Sequence, residues 1–257
     1  MLRGKLMISL RTEKEIEKIK IAAKISAEAL KLAGSLCKEG TSSFHIDKEV
    51  EKFILSQNAY PNFLNYNGYP KSCCISVNDM VIHGIPSKNV ILKKGDIVSV
   101  DVGAEYEGYN ADNAYTFVVG DVEEYVKEFL KTTKEALYCG ISKAVANNRV
   151  GDISKAVEDV VREKGYGVVK EFVGHGVGTN LHEEPEIPNF VADRRRKGPR
   201  LKAGMVIAIE PMITEKNAAV VRCEDGWGVR TKTGELAAHF EHTVLVTEKE
   251  PIILTEV

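Results

Sequence analysis

Two acids in one short stretch carry the first chemical signal. Residues 95–117 read GDIVSVDVGAEYEGYNADNAYTF: apolar Ile97, Val98 and Val100 lead into Asp101, and Asp112 leads back into Tyr115, Thr116 and Phe117. As an antiparallel hairpin with Tyr106-Glu107 at the tip, the stretch sets Asp101 directly opposite Asp112. Directly paired side chains share a face with Cβ atoms roughly 4.5–5.5 Å apart, where like charges repel. A shared proton or a divalent cation would offset that repulsion. Two solvated acids on a surface hairpin would need neither, and a slip of one residue in the turn breaks the pairing.

Further candidates follow. The stretch Gly174-His175-Gly176-Val177-Gly178-Thr179-Asn180-Leu181-His182 places two of the six histidines in a glycine-rich loop, where the backbone can approach a ligand closely. Glu210-Pro211 ends an apolar run, and a carboxylate there is costly without a cation or donors. Glu241 lies in His239-Phe240-Glu241-His242-Thr243, and alternation puts it on the face of His239 and Thr243. An outward-facing strand residue is the plainer alternative for Glu241. Asp101, Asp112, His175, Glu210 and Glu241 together exceed the needs of one ion. Two ions sharing bridging carboxylates would use all of them, activating a water and stabilising the oxyanion of amide hydrolysis. Oxygen-rich ligation with one imidazole and no thiolate favours Mn, Fe(II), Co or Zn in a reactive site over a structural zinc.

The elements that must position these residues can be read from capping and periodicity. Thr12 with Glu15 forms a capping-box signature, and Ile16, Ile19, Ala22, Ala23, Ala29 and Leu30 follow helical spacing. Ile46, Val50, Phe53 and Ile54 mark a second helix. Residues 60–70 read as loop, and 72–82 as strands around an Asn78-Asp79 turn. After Gly120 the pattern restarts, with Asp121 and Glu124 as a helix-start signal. Glu135-Ala136-Leu137 repeats Glu28-Ala29-Leu30, and Ile153, Val157, Val160 and Val161 repeat the second-helix positions at the same spacing. Residues 201–210 then parallel 92–101, so Asp101 and Glu210 end equivalent strands. These matches predict one α+β domain over 1–257 with pseudo-twofold halves of about 12–119 and 120–246, and a sheet built from both.

Composition narrows the class. A net charge of −2 offers no global case for DNA or membrane affinity. Five cysteines at irregular spacing, with no zinc-type pair, read as reduced thiols of a cytoplasmic protein. No apolar run suggests a signal peptide or a membrane span.

At these residues the chain resembles the type I, bacterial-type methionine aminopeptidases over nearly its whole length. The stretches that carry the resemblance are 78–86 (NDMVIHGIP), 100–102 (VDV), the Asp112 segment, 174–178 (GHGVG), 182–185 (HEEP), 210–212 (EPM) and 240–243 (FEHT). No long insertion separates His182 from Glu210, as the type I pattern requires. The resemblance implies the pita-bread (creatinase/aminopeptidase) fold, a pseudo-twofold α+β arrangement with a central antiparallel sheet flanked by helices. It implies removal of the initiator methionine from nascent polypeptides by water activated at two divalent metals, Co, Mn, Fe(II) or Zn. Asp101 would hold the first metal, Asp112 and Glu241 would bridge, and His175 and Glu210 would complete the second.

Glu210 would also shuttle a proton, and His83 and His182 would bind substrate beside the scissile amide. Phe63, Tyr66, Tyr69, Cys74, Leu181 and Trp227 would line the methionine pocket. Asn113-Ala114 stands where the family usually has Thr-Ser, and is expected to alter hydrogen bonds behind the ligands. The partners implied are nascent N-termini met by a monomer. A proline-directed aminopeptidase of the same fold, or a non-catalytic binding protein, would be the alternatives. The basic run Arg194–Arg200 reads as a solvated loop or as a contact with ribosomal RNA near the exit tunnel.

Overall fold

The computed structural model describes residues 8–191, 193 and 197–256. Arg194, Arg195 and Arg196, the heart of the basic run, lie outside the described residues. Two helices, α1 (Glu13–Leu36) and α2 (Ser43–Ser56), precede strands β1 (Cys73–Val77), β2 (Met80–Ile82), β3 (Ile97–Tyr106) and β4 (Tyr109–Val118). Helices α3 (Glu124–Ile141) and α4 (Val150–Glu163) open the second series. Strands β5 (Gly167–Val168), β6 (Gly174–Gly176), β7 (Glu183–Ile187), β8 (Val206–Ile209) and β9 (Met212–Thr214) follow. The chain closes with β10 (Val220–Arg222), β11 (Val229–Thr231), β12 (Ala237–His239), β13 (Glu241–Leu245) and β14 (Ile252–Ile253).

Local chemistry accounts for the helix starts. The Thr12 hydroxyl accepts from the Glu15 amide while the Glu15 carboxylate accepts from the Thr12 amide, so two otherwise orphaned donors are satisfied. Ser42 caps α2 through the His45 amide at 3.2 Å. The expected start at Asp121 fails: Glu123 is the cap residue of α3 and makes no side-chain capping bond. Helix α3 is held by its buried stripe of Val126, Phe129, Leu130 and Leu137 instead.

An eight-stranded antiparallel sheet runs in the order β1-β3-β4-β13-β8-β6-β7, with β14 paired to β13. The β3–β4 hairpin turns at Glu107-Gly108, both at positive φ (48° and 80°), which is the geometry a two-residue turn needs to match strand twist. This corrects the expected tip by one position. The register therefore moves by two: Asp101 pairs with Ala114 and Asp112 with Gly103. A slip of two residues preserves facing, because side chains alternate with period two. Asp101 and Asp112 stay on one face as diagonal neighbours rather than opposed ones.

The helices cover one face of the sheet. Val98, Val100, Val102 and Ala104 of β3 pack with Ile25, Ala29, Ile46, Val50 and Ile54 of α1 and α2. On the other flank Ile207 and Ile209 of β8 pack with Phe129, Leu137, Ile153 and Val157 of α3 and α4. Val206 and Ala208 of β8 share a core cluster with Ile19, Ala22 and Ala23 of α1. Along β3, by contrast, the residues between the helix-packed ones, Asp101 among them, face the opposite side. That side carries the chemistry.

Candidate functional site

Registers place one candidate on each of four strands of the sheet and a fifth just past the end of another. Asp101 alternates with helix-facing Val100 and Val102, and Ala114 pairs with both Asp101 and Glu241. Asp112 therefore shares their face. Ile209 is the last residue of β8 and packs against the helices, so Glu210 emerges on the site side. Gly176 pairs with Ile207, which leaves His175 facing the same centre. The glycines flanking His175 form a strand, not the expected loop. Their role is close packing: a Cβ at Gly174 would sit 2.3 Å from the Ala208 carbonyl oxygen, and one at Gly176 2.3 Å from that of Glu184.

These residues share a cavity of about 390 Å³. Atoms of Asp112, His175 and Glu241 lie within 4.8 Å of one another, and all three residues are buried. His175 Nε2 stands 3.6 Å from Asp112 Oδ2 and 3.5 Å from Glu210 Oε1. Two ligand atoms each about 2.1 Å from one ion, at a roughly tetrahedral angle, are about 3.4 Å apart. The spacing fits a divalent ion.

The electrostatics agree with that fit. Burial raises the carboxyl of Asp101 well above its ordinary range, and Asp112 and Glu210 push it further. Burial does the same to Glu241, with Asp112, Glu210 and Asp101 adding to it. Asp112 is also raised by burial, against the opposing pull of His175 and the Thr243 hydroxyl. Glu210 is pushed up to about 8, by burial first. Asp101 Oδ1 has no hydrogen-bond partner among the described residues. Buried carboxylates without donors call for a cation.

The same cavity has an apolar end. Phe63, Tyr69, Cys74 and Leu181 form a buried cluster with Tyr66, Ile85 and Trp227 packed against it. The buried Tyr69 shares its hydroxyl proton between the carbonyls of Cys73 and Gly84, at 3.1 Å each, and its ring meets Trp227 edge-on. Two histidines stand at the junction of the two ends. His182 Nδ1 shares a 2.8 Å hydrogen bond with the Tyr66 hydroxyl, and its ring lies 4.1 Å from that of His175. His83 takes φ 57°, rare for a residue with a Cβ, and its ring meets those of Phe172 and Trp227 edge-on. Burial lowers His83 to about 4. His182, exposed at the mouth of the cavity, is lowered by its partly desolvated ring and by the neighbouring His175, so both imidazoles are neutral at pH 7.

All candidate residues from the sequence thus line one cavity. Asn113 does not: its side chain lies on the helix face, where it accepts from Ser26 Oγ at 2.5 Å. That hydrogen bond lies on the far side of the sheet from the cavity. Three neighbours went unsingled in the sequence. Asn67 lines the cavity, and Thr243 Oγ1 donates to the Asp112 carbonyl at 2.8 Å. His239 Nε2 lies 3.6 Å from Glu210 Oε2. The alternation that links His239 and Thr243 to Glu241 was the available signal for both.

Residues 17–248 match the model of metallopeptidase family M24. The chain belongs to that family. Within it the chain falls with the bacterial-type methionine aminopeptidases. It is 44% identical over 257 residues to the methionine aminopeptidase of Aquifex aeolicus, covering 98% of this chain and 100% of that one. The crystal structure of methionine aminopeptidase from Thermotoga maritima superposes with a TM-score of 0.95 at 41% identity, covering 98% of this chain and 100% of that one. The prolidase from Pyrococcus furiosus is more distant, at a TM-score of 0.76 and 27% identity, with 96% of this chain matched to 65% of that one. The curled antiparallel sheet with its covering helices is the pita-bread fold of this family, as expected. No helix among the described residues is long and apolar enough to cross a membrane.

Proposed function

We propose that this chain removes N-terminal methionine, the initiator residue of nascent proteins included, by metal-dependent hydrolysis. The observation that carries the reading is one cavity with a buried carboxylate–imidazole cluster at one end and an aromatic and thiol-lined apolar end at the other. In this reading Asp101, Asp112, His175, Glu210 and Glu241 would hold two divalent ions, Co, Mn, Fe(II) or Zn. The ions supply an activated water and counter the oxyanion charge that develops on the scissile carbonyl.

The chain's own residues do the rest. The polarizable wall of Phe63, Tyr66, Tyr69, Cys74, Leu181 and Trp227 suits a thioether side chain. His83 and His182 are neutral, so each ring can offer an N–H toward the scissile amide. The Tyr66 hydroxyl fixes the His182 ring at Nδ1 and leaves Nε2 for that task. Glu210, whose Oε1 lies beside the cluster, is placed to take up a proton as water attacks the carbonyl and pass it to the departing amine. The free N-terminal amine of the substrate would bind beside Asp101 and the ion it holds, which makes the activity that of an exopeptidase. We assign the protein to the cytoplasm as a monomer that meets nascent chains, with the ribosome as a further partner.

The test is methionine release from Met-Gly-Met-Met by metal-stripped protein, with each ion added back separately. Glu210→Ala and a non-methionine Xaa-Pro peptide serve as controls. Metal-dependent release confined to N-terminal methionine, and lost in Glu210→Ala, is the expected result. Cleavage of the Xaa-Pro peptide instead, or inertness with every ion, would overturn it.

A further inference from the structure

The two carboxylate oxygens of Glu210 meet different histidines. Oε1 lies 3.5 Å from His175 Nε2, whereas Oε2 lies 3.6 Å from Nε2 of His239. His239 is 2% exposed, and its Nε2 has no hydrogen-bond partner among the described residues. We propose that His239 is a positioning residue for Glu210, donating from Nε2 to Oε2 and thereby aiming Oε1 at the ion held with His175. The inference rests on the metal-dependent reading above.

The backbone around His239 is fixed well enough for the task. Its amide donates to Thr116 Oγ1 at 3.0 Å, and that hydroxyl donates back to the His239 carbonyl at 2.9 Å. His239 also pairs with Met212, two residues beyond Glu210, so the strand that carries the donor is tied to the one that follows the acceptor. Asn189 Nδ2 donates to the Glu210 carbonyl at 3.0 Å and holds that backbone from the other side. With both backbones tied, the 3.6 Å separation needs to close by only roughly half an ångström to become a hydrogen bond. A carboxylate gripped at one oxygen presents the other in one orientation, and such outer partners commonly tune metal affinity by about 10–100-fold.

A competing arrangement has the same spacing. An ion between His239 and Glu210 would make His239 a ligand instead. Two variants separate the possibilities. His239→Gln keeps an N–H donor in a similar volume, and His239→Leu fills the space with none.

The measurement is calorimetric titration of Mn(II) into metal-stripped wild type and both variants, with thermal melts to establish that each is folded. The weaker of the two binding steps should lose about 10–100-fold in His239→Leu and return to within about threefold of wild type in His239→Gln. Peptide hydrolysis should follow in kcat more than in KM. Wild-type affinity in His239→Leu would overturn the inference, as would a His239→Gln as weak as His239→Leu. A wild type that binds no divalent ion would instead overturn the metal-dependent reading itself.

Discussion

The two faces of the central sheet bury polar residues side by side and treat them oppositely. On the helix face, Asn113 takes a hydrogen bond from Ser26, whose hydroxyl also reaches the Val102 carbonyl at 2.7 Å. His242 on the same face is bonded to Thr255 Oγ1 at 2.8 Å and to the Tyr138 hydroxyl at 3.3 Å. One residue earlier on each strand, Asp112 and Glu241 face the cavity among further acids, with raised carboxyl groups. Both faces are buried. The groups named on the helix face are paired within the protein, whereas Asp101 Oδ1 on the cavity face has no hydrogen-bond partner among the described residues. A satisfied buried network contributes to a unique packing, whereas an unsatisfied one costs stability and persists for a ligand.

The comparison is most sharply tested by removing charge from the cavity face. Glu241→Gln keeps the shape of the side chain and is expected to lower methionine release by more than the ~100-fold typical of residues that only support a ligand. The metal-free variant should nevertheless melt at a higher temperature than metal-free wild type above pH 7, because one buried charge is gone. A lower melting temperature there would contradict the assignment of strain to that face. His182→Ala should reduce kcat by about 10²–10³-fold, the usual cost of a lost oxyanion donor, with ion affinity unchanged by titration.

Removing a group from the helix face should do the reverse. Ser26→Ala removes the one buried hydroxyl proton shared by Val102 O and Asn113 Oδ1, and is expected to cost about 1–3 kcal/mol in denaturant unfolding. Activity per folded molecule and ion affinity should stay near wild type. The smallest expected effect is the pH dependence of the metal-free protein. The folded carboxyl of Glu210 is raised from 4.5 to about 8, so its contribution to stability is full below pH 4.5 and is lost as pH rises through 8. Asp101 and Glu241, also raised, act in the same direction. His239 and His242, lowered from 6.5 to about 4, act oppositely, but only below pH 6.5. Between pH 6.5 and 8 the metal-free melting temperature should therefore fall by a few degrees, and saturating Mn(II) should abolish the fall. A flat profile without metal would show that the carboxylates are not strained.

Much of this contrast was legible in the amino-acid order. Period-two alternation is a local property, so it assigned Asp101 and Asp112 to one face although the expected turn was misplaced by one residue. Capping chemistry is local too: it placed the start of α1, where Thr12 and Glu15 complete each other. It misled at Asp121, because α3 is anchored by packing of its apolar stripe and not by a cap. The spacing of acids and histidines, with its resemblance to a known family, was enough to nominate Asp101, Asp112, His175, Glu210 and Glu241. What only the tertiary structure decided is how strands distant in sequence pair. The order β3-β4-β13-β8-β6 brings those five residues to one centre, and the pairing of β12 with β9 sets His239 against the far oxygen of Glu210. Strand pairing across such separations is chosen by which faces the helices bury together, and no single segment contains that information.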